Sequence, residues 1–370
     1  MRDPRIDRLA AILLDHSCQV QAGDKLLIEA IDLPSSELVC RLIEGAATRG
    51  VHPLVTVKDN TVLRALYATG DREAIALSGA IERHRMEQVD AYIGIRGAAN
   101  SSEFSQVPAA AMDLYQQCWW HVVHGEVRVP RTRWVVLRYP TDSMAQAASM
   151  SSEAFEDFYF DVCTADYAQM ARDQEPLVAR MEAARQVRIT APGTDLRFSI
   201  AGLPVRPCFG QRNIPDGEVF TAPVRDSVEG TIRFNAPSRY QGALFDQIEL
   251  EFRSGRVVRA SASDTPRLEA ILDSDEGARY VGEWSLGCNN RVLRPMLDTL
   301  FDEKIGGSLH LALGNAYDEC DNGNRSRVHW DLVLLQRSEQ GGGDVWFDDE
   351  LVRRDGRFVP DDLAGLNRGL

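Results

Sequence analysis

Histidine, aspartate and glutamate within a small space are the ingredients of a site for a borderline divalent metal. The stretch from His310 to Leu335 reads HLALGNAYDECDNGNRSRVHWDLVLL; it carries His310, then Tyr317 and a turn-forming segment, then His329 and Asp331 on an alternating run. His329 and Asp331 stand two residues apart in a run of branched and aromatic apolar residues. On a strand, successive side chains point to opposite faces, so these two share one face, while Val328, Trp330, Leu332 and Leu334 take the other. Such a segment can be anchored in a core while offering an imidazole and a carboxylate to one ion. The plainer alternative is a hydrogen-bonded His–Asp pair at a sheet end, and the choice depends on which other ligands arrive.

Two further carboxylates stand out by their setting. Glu218 follows a Pro-Asp-Gly turn in NIPDGEVFTAP and opens a strand-like run. Glu283 follows Gly282 in the otherwise apolar ARYVGEWSLGCN. Glu303, in TLFDEKIGG, has the weaker setting of a helix end, where acids are usually solvated. His121 and His124 in WWHVVHG could share a helix face, but they lie far upstream and read as structural. Cys288 and Cys320 lack a neighbouring histidine motif and read as small apolar fillers.

The elements that must position these residues fall into two textures. The 370 residues are too many for one ordinary core and point to two domains. Residues 1–185 alternate helix and strand patterns, with strands in KLLIEAI, HPLVTVKD, DAYIGIRG and RWVVLRYP. That alternation predicts a largely parallel sheet covered by helices. No G-x-G-x-x-G follows any of these strands, so no dinucleotide site is expected. Residues 186–370 are rich in short strands and turns and predict a mixed α+β, metal-binding domain. FRSGRV signals a hairpin, RLEAILDSD and RVLRPMLDTLFDE have helical periodicity, and the tail from Gly341 reads as a final hairpin. The fold class is thus α/β, with a helix-covered parallel domain first and an α+β domain second. A net charge of −14 disfavours the phosphate backbone of nucleic acid as partner. No apolar run is long enough to cross a membrane. Seven scattered cysteines without a C-x-x-C pair, and an N-terminal amphipathic segment interrupted by Asp7 and Asp15, point to a reducing cytoplasm.

The ordered blocks NIPDGEVFTAP, GEWSLGCN, DTLFDE, HLALGNAY and N-x-S-x-V-H-x-D, the last from Asn324 to Asp331, resemble the motifs of the M29 family of metallo-aminopeptidases. The resemblance extends upstream to RWVVLRYPT and covers most of the chain. It implies a two-metal site with Glu218, Glu283, His310, His329 and Asp331 at ligand positions, and Glu303 at a further acidic position. It also implies that Tyr317 assists catalysis, that the substrate is a peptide with a free N-terminus, that the cations are zinc, cobalt or manganese, and that the protein is a homodimer. The chemistry suits that assignment. Two cations about 3.5–4 Å apart need a bridging carboxylate and activate water for attack. Glu283 or Glu303 could carry the proton to the leaving amine, and Tyr317 could stabilise the oxyanion.

Some features depart from the family pattern. The chain is several dozen residues shorter than typical members, the KIGG spacing between Glu303 and His310 is two residues longer, and Trp284 and Cys288 flank Glu283 where they could reshape a pocket. Two rival readings follow. Ring-opening dihydroxypyridine dioxygenases resemble this family but hold one iron with two histidines and a carboxylate; in them the Glu283 position is a histidine and the His310 position is lost. The second rival is a catalytically idle homologue, against which retention of every ligand type argues.

Overall fold

The structure, a computed structural model, describes residues 3–370. It divides into two compact units, one comprising the described residues up to Ala165 with Gly210–Pro215, the other Asp166–Phe209 with Asp216–Leu370.

In the first unit, strands Lys25–Ile31 and Ala91–Arg96 are apolar almost throughout and buried on both faces. That is the signature of central strands in a parallel sheet covered on both sides. The sheet runs His52–Lys58, Lys25–Ile31, Ala91–Arg96, Arg133–Arg138 and the two-residue strand Asn213–Ile214, all parallel. Crossover helices start where short acids can cap them. Asp59 accepts from the amides of Thr61 and Val62, and Asp71 from those of Glu73 and Ala74. The WWHVVHG stretch lies in the widened helical segment Gln116–Arg128, whose Trp119, Val123 and Val127 pack on Leu27 and Tyr92.

In the second unit, two antiparallel sheets face each other across one core. The eight-stranded sheet contributes Val187, Phe198, Ile232, Leu250 and Val345, and the five-stranded sheet contributes Trp284, Leu286, Leu311, Trp330 and Leu332. Trp284 meets Phe198 and Phe347 edge-on at centroid distances of 5.2 and 6.0 Å, a geometry that adds to the area it buries. The five-stranded sheet runs His329–Leu335, Ser308–Gly314, Val281–Gly287, Glu218–Thr221 and Arg206–Cys208. Among the described residues no helix is long and apolar enough to cross a membrane.

Three expectations change. The division falls before residue 186, because the helix Tyr167–Ala183 buries Leu177 and Met181 in the sandwich core. RVLRPMLDTLFDE yields only the helical turn Thr299–Asp302. Pro295 lacks a donor and Leu297 adopts a φ of +57°, which no helix accommodates. The tail forms three strands rather than two, Asp344–Phe347, Glu350–Arg354 and Arg357–Phe358. FRSGRV is a hairpin as read: Ser254 and Gly255 both have positive φ, the requirement of a tight two-residue turn.

One irregularity decides where the chemistry lies. Val281 pairs with Leu313, but Glu283 pairs with Ala312, so the strand bulges at Gly282. Without the bulge, Glu283 would share the core-facing side with Val281, two residues before it. The bulge turns the carboxylate to the opposite face. A Cβ at Gly282 would lie 2.4 Å from the carbonyl oxygens of both Gly314 and Asn315. Gly282→Ala is therefore expected to lower stability by about 1–3 kcal/mol in urea unfolding; an unchanged midpoint would contradict this backbone approach.

Candidate metal centre

The pairing register brings the scattered side chains of the sequence to one face of the five-stranded sheet. His329 lies opposite Gly314, Asp331 and Glu283 lie opposite Ala312 from either side, His310 lies opposite Ser285, and Glu218 lies opposite Gly287. Each charged residue thus has a small neighbour across the ladder, which leaves room above the sheet. The intervening residues Val219, Trp284, Leu311, Trp330 and Leu332 belong to the core. Trp284 is fully buried on that side, so it does not shape a pocket at Glu283 as its sequence position suggested; the alternation of the strand separates the two.

The polar atoms converge closely. His310 Nε2 lies 3.1 Å from Glu283 Oε1 and 3.8 Å from Asp331 Oδ1, and its Nδ1 lies 3.6 Å from Glu218 Oε2. His329 Nε2 lies 3.7 Å from Glu283 Oε2 and 3.5 Å from Asp331 Oδ1. His329 Nδ1 donates to the Asn315 carbonyl at 2.9 Å, which fixes the ring and leaves Nε2 free to ligate. Three of these groups keep a buried polar atom without a hydrogen-bond partner: Glu283 Oε2, His310 Nδ1 and Asp331 Oδ1. Buried atoms in that condition are costly unless something else satisfies them. The sets Glu218–Glu283–His310, Glu283–His329–Asp331 and Glu303–His310–Asp331 each offer ligand atoms within 4.8 Å of one another. Carboxylates and imidazoles without thiolate suit a hard or borderline divalent cation, and the residues present fit one.

Glu303 reaches this cluster despite its long KIGG spacing, and its neighbour Lys304 explains how. Lys304 is completely buried. Its ammonium donates to Glu218 Oε1 and lies 2.6 Å from Glu303 Oε1 and 3.6 Å from Asp216 Oδ1. Ser285 Oγ donates to the other oxygen of Glu218 at 2.7 Å. The group Cys208–Asp216–Glu218 also has ligand spacing, but the ammonium already neutralises it. Sequence reasoning missed Lys304, Asp216, Ser285 and Asn315. The signal available for Lys304 was its place directly after Glu303; for the other three there was only proximity to a motif residue.

The charges set one another. Burial would raise the Glu218 carboxyl, but Lys304 and His310 outweigh it and hold it below its ordinary value. Burial wins at Glu283 and, more strongly, at Glu303, raising both. Burial would lower His310, yet the hydrogen bond to Glu283 and the field of Glu218 and Asp331 raise it to about 10. The Tyr317 ring lies 4.6 Å from the His329 ring and 6.1 Å from Phe220. Its residue surface is 48% exposed. Desolvation of its phenol and the carboxylates, Glu283 first, push its acidity away from neutral pH, so it remains a donor.

A family model described as thermophilic metalloprotease (M29) matches residues 2–358. Aminopeptidase 2 of Geobacillus stearothermophilus is 36% identical over 170 residues, 40% of this chain and 38% of that protein. Aminopeptidase T of Thermus thermophilus is 37% identical over 168 residues, 40% of each. These alignments thus span less than half the length of either relative. Aminopeptidase PepS of Streptococcus thermophilus is 23% identical over 89% of this chain and 91% of its own. Among solved structures, wild-type AmpT from Thermus thermophilus superimposes with a TM-score of 0.81 at 23% identity, covering 96% of this chain and 99% of that one. A 2,5-dihydroxypyridine dioxygenase from Pseudomonas putida shares the fold at a TM-score of 0.61 and 14% identity, covering 98% and 99%.

Two outcomes are expected. A cation competes with the His310 proton, which is held up to a pKa of about 10. Cation affinity should therefore rise with pH through neutrality, with proton release in calorimetry across buffers of different ionisation enthalpy; pH-independent affinity without proton release would contradict the arrangement. Lys304→Met should destabilise the metal-free protein by about 3–5 kcal/mol, since it strands buried carboxylates. Saturating divalent cation should recover part of that loss, and an unaltered melting curve would contradict the role of the ammonium.

Proposed function

The chain belongs to the thermophilic metalloprotease family M29, and we propose that it is a metal-dependent aminopeptidase that hydrolyses the N-terminal bond of peptides. The observation that carries this reading is the convergence of Glu218, Glu283, His310, His329 and Asp331 on one sheet face, with three buried polar atoms left without partners. In this reading those five residues hold two divalent ions, zinc, cobalt or manganese, with Glu303 completing the acidic rim. The bound ions would supply Lewis-acid polarisation of the scissile carbonyl and an acidified water.

The chain's own residues do the rest. Glu283 points one oxygen toward each histidine, which suits a carboxylate shared between two ions. Glu303, raised above the ordinary carboxyl range chiefly by burial, suits a group that passes a proton to the leaving amine. Tyr317 can donate a hydrogen bond to the carbonyl oxygen as negative charge develops on it. Lys304 neutralises Glu218 and Glu303 so that the acids can stand together. The uncompensated carboxylates favour the ammonium of a free N-terminus over a blocked one. The same reading includes a homodimer and a reducing cytoplasm, the latter supported by seven cysteines that are all free. Glu218 and Glu283 beside His310 favour hydrolysis over ring cleavage, which needs only two histidines and one carboxylate on a single iron.

The metal-stripped protein, reloaded with zinc, cobalt or manganese, should cleave leucyl p-nitroanilide and leave its N-acetyl derivative intact. His329→Ala should lose at least about 100-fold in turnover while keeping its circular dichroism, since ligand support alone is worth 10–100-fold. Equal cleavage of the blocked substrate, or normal turnover by the variant, would overturn the reading.

A further inference from the structure

The first unit has a cavity that the peptidase reading leaves unused. Its strand order places His52–Lys58 on one side of Lys25–Ile31 and Ala91–Arg96 on the other. The winding direction therefore reverses between Lys25–Ile31 and Ala91–Arg96. In open parallel sheets, the crevice beyond the carboxyl ends of strands at such a reversal is the usual ligand site. A cavity of about 320 Å³ lies there, lined by Glu29 and Ile31, Lys58, Arg96 and Arg138 from the ends of four adjacent strands. That volume is at the small end of ligand pockets.

The lining combines an aromatic wall with an excess of positive charge. Tyr67, Phe104, Tyr115, Trp119 and Trp120 line it, with Tyr67 and Tyr115 centroids 4.4 Å apart and Tyr115 and Trp119 5.4 Å apart. Three cations line it against the single carboxylate of Glu29, in a chain whose net charge is −14. Glu29 is already engaged, by Lys58 Nζ at 2.6 Å and the Tyr92 hydroxyl at 3.0 Å. Arg96, by contrast, keeps a buried Nε without a hydrogen-bond partner. His124, also in the wall, accepts from Arg128 Nε at 2.9 Å, so its neutral ring carries its proton on Nε2. Burial, then Arg128, Arg96 and Lys58, pull this imidazole down to about 2, which reports the sign of the local field. The rim is built closely. Ala99 N and Asn60 Nδ2 both donate to Asp32 at 3.1 Å, and a Cβ on Gly97 would lie 2.3 Å from the Asp32 carbonyl oxygen.

We propose that this cavity binds a small organic anion, a carboxylate or phosphate carried on a flat apolar body, with the anionic group on Arg96 and the body against the Tyr67–Tyr115–Trp119 wall. Lys58 is engaged by Glu29 and Glu82 at 2.6 and 3.4 Å, and Asp32 stands at the rim. The anion's counter-charge is therefore Arg96, whose buried Nε lacks a hydrogen-bond partner, while aromatic rings supply area for the body at little conformational cost. Neutral His124 adds a donor and no competing charge.

The test uses the full chain and three probes with one ring: benzoate, phenyl phosphate and benzylammonium, titrated by calorimetry. The two anions should bind and benzylammonium should not. Tighter binding of benzoate would assign a carboxylate ligand, and tighter binding of phenyl phosphate a phosphorylated one. Arg96→Gln should weaken anion binding at least tenfold, and Met112→Trp, which fills the cavity from its wall, should abolish it without touching Arg96. Binding of benzylammonium as tight as that of the anions would overturn the proposal, and so would anion binding that survives Met112→Trp. Both variants lie outside the second unit, so peptidase activity should persist in each whichever way the titrations fall.

Discussion

Like charges do not gather on a buried sheet face unless something neutralises them. Glu218 and Glu283 are each about 5% exposed, His310 is completely buried, and Glu303 and Asp331 stand beside them. In a medium of low polarity, acids this close must take protons or find cations. The second unit uses both routes within its own chain. Lys304 gives its charge to Glu218 and Glu303, and His310 holds a proton against Glu283. Even so, Glu283 Oε2 and Asp331 Oδ1 remain without partners. The residual demand for positive charge links the electrostatics of the fold to metal chemistry.

The sheet makes this tension tolerable by separating it from the core. Along Ser308–Gly314 and His329–Leu335, alternate residues are either large and apolar or part of the site. The same backbone therefore carries packing on one face and the candidate ligands on the other, and the small residues Gly287, Ser285, Ala312 and Gly314 open space above the ladder. Gly282 is the exception to simple alternation. Its bulge transfers Glu283 from one face to the other, with carbonyl contacts so close that a side chain at that position would force the backbone to shift.

Much of this was legible in the sequence. The period-two pattern of VHWDLVLL gives the face of His329 and Asp331 directly, and the buried runs of the first half give parallel strands. The convergence of Glu218, Glu283 and His310 was reachable only through the resemblance of whole motifs, because strand order cannot be read from period. Lys304 was not singled out, since its burial depends on acids contributed from residues 216 and 218. The helix expected over RVLRPMLDTLFDE failed because Pro295 and the positive φ of Leu297 override apolar spacing. The edge strand Asn213–Ile214 is two residues long, too short for any period to register, and it carries Gly210–Pro215 into the first unit.

The central claim is that the orphaned atoms on this sheet face are ligand positions. Anomalous diffraction from crystals soaked in cobalt, collected on both sides of the metal edge, addresses it without reference to catalysis. The account predicts two peaks flanked by Glu283, one beside His310 and one beside His329, with the Lys304 ammonium still on Glu218 or Glu303. Featureless difference density between these side chains, with Glu218 or Glu283 turned away from His310, would contradict it.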